Sequence, residues 1–116
     1  MFELVRRAHE GATAAVRPGA RCGDLDEIAR SIIADGGYGE AFIHRLGHGI
    51  GLEPHEDPYL VAGRDEVLAV GHAFSIEPGA YLAGRFGVRI EDTVVCGPAG
   101  PDVLNESPRE LIVVHG

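Results

Sequence analysis

The sequence predicts an α+β domain, with helices packed on one side of an antiparallel sheet. Three observations carry this. Apolar residues recur at helical spacing in the first third of the chain. Two later stretches, Phe74-Ser75-Ile76-Glu77 and Val88-Arg89-Ile90-Glu91, alternate apolar and polar residues as half-buried strands do. Glycine, proline and short β-favouring runs dominate everything after residue 37.

In chain order, Leu4, Val5, Ala8, Ala12, Ala15 and Val16 fall on one face of a helix expected over residues 2 to 16. Arg17-Pro18-Gly19 should end it, because proline cannot continue the hydrogen-bond ladder and glycine favours the turn. A second helix is expected from Asp24 to Asp35. Asp24 with Glu27 reads as a capping box, and Leu25, Ile28, Ala29, Ile32 and Ile33 supply a buried stripe. Gly36-Gly37 is the stop signal. Further on, residues 74–77 and 88–91 are expected to form a hairpin joined by a long loop over 80–86. Its polar face would carry Glu77 and Glu91 together, and its apolar face would lie under the helices.

Composition excludes several function classes. A chain of 116 residues has room for one small core, and a hydrophobic fraction of 45% is ordinary for a globular protein. The net charge is −8, and all ten basic residues are arginine. No basic patch is easily assembled, which argues against nucleic acid or an anionic membrane as partner. No apolar run approaches the ~20 residues of a membrane helix. Met1-Phe2-Glu3-Leu4-Val5-Arg6-Arg7 lacks the apolar centre of a signal peptide. Cys22 and Cys96 form no CxxC and read as two reduced thiols, with a cytoplasmic location as the expectation and a disulfide as the lesser alternative.

The residues with chemistry are His48 and His55, in Gly47-His48-Gly49-Ile50-Gly51-Leu52-Glu53-Pro54-His55, and then Glu77 and Glu91. Imidazole plus carboxylate suits zinc, manganese, iron or cobalt. Taken singly, each has a plainer reading. His48 among glycines reads as a turn residue, and Glu77, Glu91 and Asp92 as solvated strand positions. Arg89 with Glu91 reads as a same-face ion pair. The spacing of the two histidines excludes a helical HExxH motif. His9, His72 and His115 default to helix surface, strand entry and tail.

Three stretches together resemble a family signature: residues 42–56 (from Phe42-Ile43-His44-Arg45-Leu46 through His55-Glu56), residues 74–81 and residues 87–92. The chain is similar to the Xaa-Pro dipeptidases and Xaa-Pro aminopeptidases, which share the pita-bread fold with methionine aminopeptidases and creatinases. Leu52-Glu53 after the third glycine, with His44-Arg45 before the motif, resembles the Xaa-Pro branch, whereas Pro54 departs from the aliphatic residue usual there. The resemblance implies a metal-dependent hydrolase that cleaves an N-terminal Xaa-Pro bond, with His48, Glu77 and Glu91 as metal ligands and Glu91 bridging two ions. It makes His55 the imidazole on the substrate and tetrahedral intermediate, His44 a second imidazole lining the site, and Arg89 the group that orients carboxylates.

In that family two further ligands are aspartates that precede the first helix. Asp24, Asp26 and Asp35 fall in the second helix instead. The expectation is therefore one partial catalytic domain over 1–116, the C-terminal half of a pita-bread unit. The intact family site would take two divalent ions (manganese, cobalt, zinc or iron), and these residues at most one, held weakly. The chain would then act as a homodimer or with the missing half, on peptides with proline second. Two other readings stand beside it: a pita-bread interaction module without catalysis, and a creatinase-like C–N hydrolase without metal.

Overall fold

The computed structural model describes residues 1–116 and is α+β. Helix α1 spans Phe2–Ala14 and α2 spans Cys22–Asp35. A single 3-10 turn, Gly39–Ala41, leads into seven strands. These are β1 (Gly47–Gly49), β2 (Glu56–Leu60), β3 (Ala73–Ile76), β4 (Gly79–Leu82), β5 (Phe86–Arg89), β6 (Asp92–Gly97) and β7 (Gly100–Val103). Five of them make an antiparallel sheet in the order β2-β1-β3-β6-β7, and β4 and β5 form a separate hairpin.

The apolar stripes lie where helical spacing puts them. Val5, Ala8 and Ala12 of α1 and Leu25, Ala29 and Ile33 of α2 are buried with Phe74, Ile76, Val94 and Cys96 of the sheet in one core. Burying a side chain such as Phe74 contributes about 2–3 kcal/mol. The helix ends differ from expectation. α1 stops at Ala14, where the Ala15 N–H turns back to Ala12 O at 3.2 Å and the Val16 N–H to Thr13 O at 3.1 Å. α2 begins two residues early, and the expected capping box is absent. Its first amides are satisfied by a neighbouring loop: Cys22 N–H donates to Glu66 O at 2.8 Å and Gly23 N–H to Arg64 O at 3.0 Å. With those donors already paired, Asp24 instead turns toward Arg21, 3.4 Å away. Gly37 supplies the left-handed residue past the α2 end, at φ 91°.

The strand pairing is also corrected. Residues 74–77 do not pair with 88–91 across a long loop. β3 pairs with β6, setting Ile76 opposite Asp92, and β4 pairs with β5, setting Gly79 opposite Arg89. Both pairings share one register, so β3–β4 and β5–β6 are the two legs of one long hairpin with a lapse in its ladder. The register puts Glu77 opposite Glu91 in that lapse. Pro78 lacks an N–H and cannot donate there. Glu77 N–H leaves the hairpin and donates to Leu46 O at 2.8 Å, and Ile90 N–H reaches Pro78 O at 3.3 Å.

No helix is long and apolar enough to cross a membrane. Cys22 and Cys96 are both buried and free, with no disulfide between them.

Candidate metal centre

The lapse in the hairpin is the floor of the site, and β1 is its wall. Gly47 lets the two approach: a Cβ at that position would lie 1.8 Å from Ser75 O. His48 N–H donates to Ser75 Oγ at 3.1 Å, which fixes the histidine beside β3. Its Nδ1 lies 3.0 Å from Gly49 O. A carbonyl can only accept, so Nδ1 carries a proton and Nε2 is the ring nitrogen turned to the site. Nε2 faces Glu77 Oε2 at 3.4 Å.

His48, Glu77 and Glu91 bring one ligand atom each within 4.8 Å of one another. His48 and Glu77 are largely enclosed, and Glu91 is exposed. Glu77 Oε2 is buried and has no hydrogen-bond partner. Burial, followed by the neighbouring Glu77, pushes the Glu91 carboxyl above the usual carboxylate range. Three potential ligand atoms thus converge, and Glu77 Oε2 among them has no hydrogen-bond partner. Such a cluster is compensated by a cation, and its nitrogen and oxygen donors fit a divalent transition ion.

The other expected residues gather around this cluster. The His55 ring lies edge-on to His48 with centroids 4.4 Å apart, and His55 is exposed. Arg89 Nη1 is 3.8 Å from Glu77 Oε1, so its ion pair is with Glu77 and not the expected one with Glu91. Its Nε donates to Tyr81 Oη at 2.7 Å. Tyr81 Oη in turn lies 2.8 Å from His44 Nε2, and His44 Nδ1 lies 2.7 Å from Arg45 O. Two directions follow from the donor inventory: Arg89 donates to Tyr81, and His44 Nδ1–H donates to Arg45 O. The Tyr81–His44 hydrogen bond completes the chain that fixes His44 at the rim. The residues His44, Arg45, His48, His55, Glu77 and Arg89 line a shallow cavity of about 320 Å³.

Tyr81 and two buried groups escaped the sequence reading. Asp92 is not on a solvated face: it is 1% exposed, and His9, expected on the helix surface, is buried against it. The signal for Asp92 was present. Alternation from Glu91 sends the next residue to the opposite, inward side. His9 carried a signal too, because helical spacing from Val5 to Ala12 puts it on the buried face. None marked Tyr81, whose partner Arg89 is 8 residues distant.

Residues 1–98 match the profile of metallopeptidase family M24. The chain belongs to that family. Among its M24 relatives, the probable dipeptidase PepE of Mycobacterium tuberculosis is 50% identical over 113 residues, covering 97% of this chain and 30% of that protein. The Xaa-Pro dipeptidase of Lactobacillus delbrueckii subsp. lactis is 49% identical over 114 residues, covering 98% of this chain and 31% of its own length. The crystal structure of dipeptidase PepE from Mycobacterium ulcerans superposes with a TM-score of 0.95 at 50% identity, covering 97% of this chain and 30% of that one. The fold is the pita-bread fold of these M24 enzymes, of which the chain spans about 30% of the relatives' length.

Proposed function

We propose that these residues are the C-terminal part of an M24 catalytic domain that hydrolyses the bond between an N-terminal residue and a following proline. The observation that carries this is the convergence of His48 Nε2, Glu77 Oε2 and the Glu91 carboxyl beside two further imidazoles.

In this reading His48, Glu77 and Glu91 would hold the divalent metal. Manganese, cobalt, zinc and iron all suit the donors. When bound, such ions activate water and polarise a carbonyl. The chain's own residues do the rest. Arg89 holds Glu77 in the orientation that points Oε2 at His48. His55, exposed beside His48, donates a hydrogen bond to the oxygen on which charge develops. His44, fixed by Tyr81, forms one side of the substrate cavity. The remaining ligands come from residues outside these 116, in the same polypeptide or a partner. The two free, buried thiols favour a reducing, cytoplasmic setting.

The test is ion binding by calorimetry and Xaa-Pro dipeptide hydrolysis, on the chain and its His48→Ala and Glu77→Gln variants. The expected result is one weakly bound manganese ion, weakened at least about tenfold in each variant. Turnover should appear only when a polypeptide bearing the missing carboxylates is added. Equal ion binding by the chain and both variants would refute the assignment.

A further inference from the structure

Glu91 sits where the hairpin ladder has lapsed, so regular strand hydrogen bonds do not fix its place. Its exposed carboxyl faces Glu77, while the next side chain, Asp92, points the other way into the protein and is 1% exposed. Two groups meet Asp92 there. His9 of α1, itself 4% exposed, sets Nε2 at 3.0 Å from Oδ2, and Arg109 Nη2 lies 2.5 Å from the same oxygen. Both nitrogens face Oδ2 at donor–acceptor distance, off the ideal hydrogen-bond line. On the far side, Thr93 N–H is tied to Asn105 Oδ1 at 2.7 Å.

This arrangement is costly as packing. His9 lies on the same face of α1 as Val5, Ala8 and Ala12, all fully buried, where an apolar side chain would meet the sheet without desolvating a charge. Burial pushes the His9 imidazole below its ordinary range, against the opposing pull of Asp92. The one thing the contact does that an apolar pair would not is tie a fixed point on α1 to the residue next to Glu91.

We infer that His9 is a positioning residue: through Asp92 it clamps the start of β6 to α1 and so sets where Glu91 presents its carboxylate. The inference rests on the reading of Glu91 as a metal ligand. It requires that losing the His9 donor loosen residues 89–93 locally and weaken ion binding, without lowering stability evenly throughout.

The test uses the full chain with His9→Leu, which fills the space without a donor, and His9→Gln, which returns an N–H to nearly the same point. Native-state amide exchange is read at residues 90–92 and at Ala29 and Ile33 in α2, and manganese affinity is read by calorimetry. His9→Leu should raise exchange at 90–92 about tenfold, leave Ala29 and Ile33 within about threefold, and weaken manganese binding about tenfold. His9→Gln should recover most of both losses. Even loss of protection across all these amides, unchanged exchange at 90–92, or no recovery in His9→Gln would overturn the inference. No manganese binding by the unaltered chain would overturn the metal reading and this inference with it. The unaltered chain therefore tells the two failures apart.

Discussion

Asp26 and Asp24 lie two residues apart in α2, and replacing each by alanine should have very different consequences. Asp26 is fully buried and accepts hydrogen bonds from Arg30 Nε at 2.9 Å, Arg30 Nη2 at 3.1 Å and Leu46 N at 2.9 Å. Arg30 also donates to Phe42 O at 2.9 Å and His44 O at 2.8 Å, with its guanidinium 4.1 Å from the Phe42 ring centroid. The pair therefore staples α2 to the segment that leads into His48. Asp26→Ala leaves Arg30 without its counter-ion, and that side chain is 33% exposed, so water relieves part of the loss. Leu46 N–H keeps a second acceptor, Leu60 O, at 3.0 Å. The cost should lie between that of an exposed pair and that of a fully buried one, about 3 kcal/mol. At roughly 2 cal/mol/K of unfolding entropy per residue, a chain of this size loses about 4 °C per kcal/mol, so the melting midpoint should fall by about 12 °C. Asp24, with its side chain 51% exposed and 3.4 Å from Arg21, is the control. Its alanine variant should shift by no more than about 2 °C. Circular-dichroism melts of the three chains decide the matter. A shift below about 4 °C for Asp26→Ala, or equal shifts for the two variants, would refute the reasoning.

Gly47→Ala should destabilise by more than about 3 kcal/mol, because its Cβ would meet the Ser75 carbonyl and force β1 from β3. Gly84→Ala, in open space at φ 74°, should cost about 1–2 kcal/mol, so urea unfolding of the pair separates close approach from backbone preference. Burial pushes the Cys22 thiol up to about 11, so it should resist a thiol reagent at pH 8 in the native chain and react readily once unfolded. The folded chain holds that proton over a pH range in which the unfolded chain has released it. Stability should therefore fall as pH rises from about 8.5 toward 11, read as a declining urea midpoint. Rapid native labelling of Cys22 would contradict this.

The helices and their buried faces were legible because helical periodicity is a local property of residues such as Val5, Ala8, Leu25 and Ala29. The α2 start was not, because Glu66 and Arg64, some forty residues away, supply the acceptors that a capping side chain would otherwise provide. The ligand stretches were recognisable by motif, and their facing carboxylates by alternation. Their pairing was misread because Pro78 marked the end of a strand in sequence, whereas the chain continues past it in the same register. Asp92 and His9 were missed because polarity was weighed above periodicity, which put both on buried faces, and Tyr81 because nothing local marks its contacts with Arg89 and His44.

The shared register on either side of the lapse makes the spacing of Glu77 and Glu91 a matter of parity. Lengthening the Ala83–Arg85 turn leaves both carboxylates on the same side, because neither leg is shifted between its paired segments and the lapse. One residue inserted between Arg89 and Glu91 would reverse the side on which Glu91 emerges, and a second would return it. Natural or engineered length variation should therefore concentrate at the hairpin tip and come in even steps near the lapse.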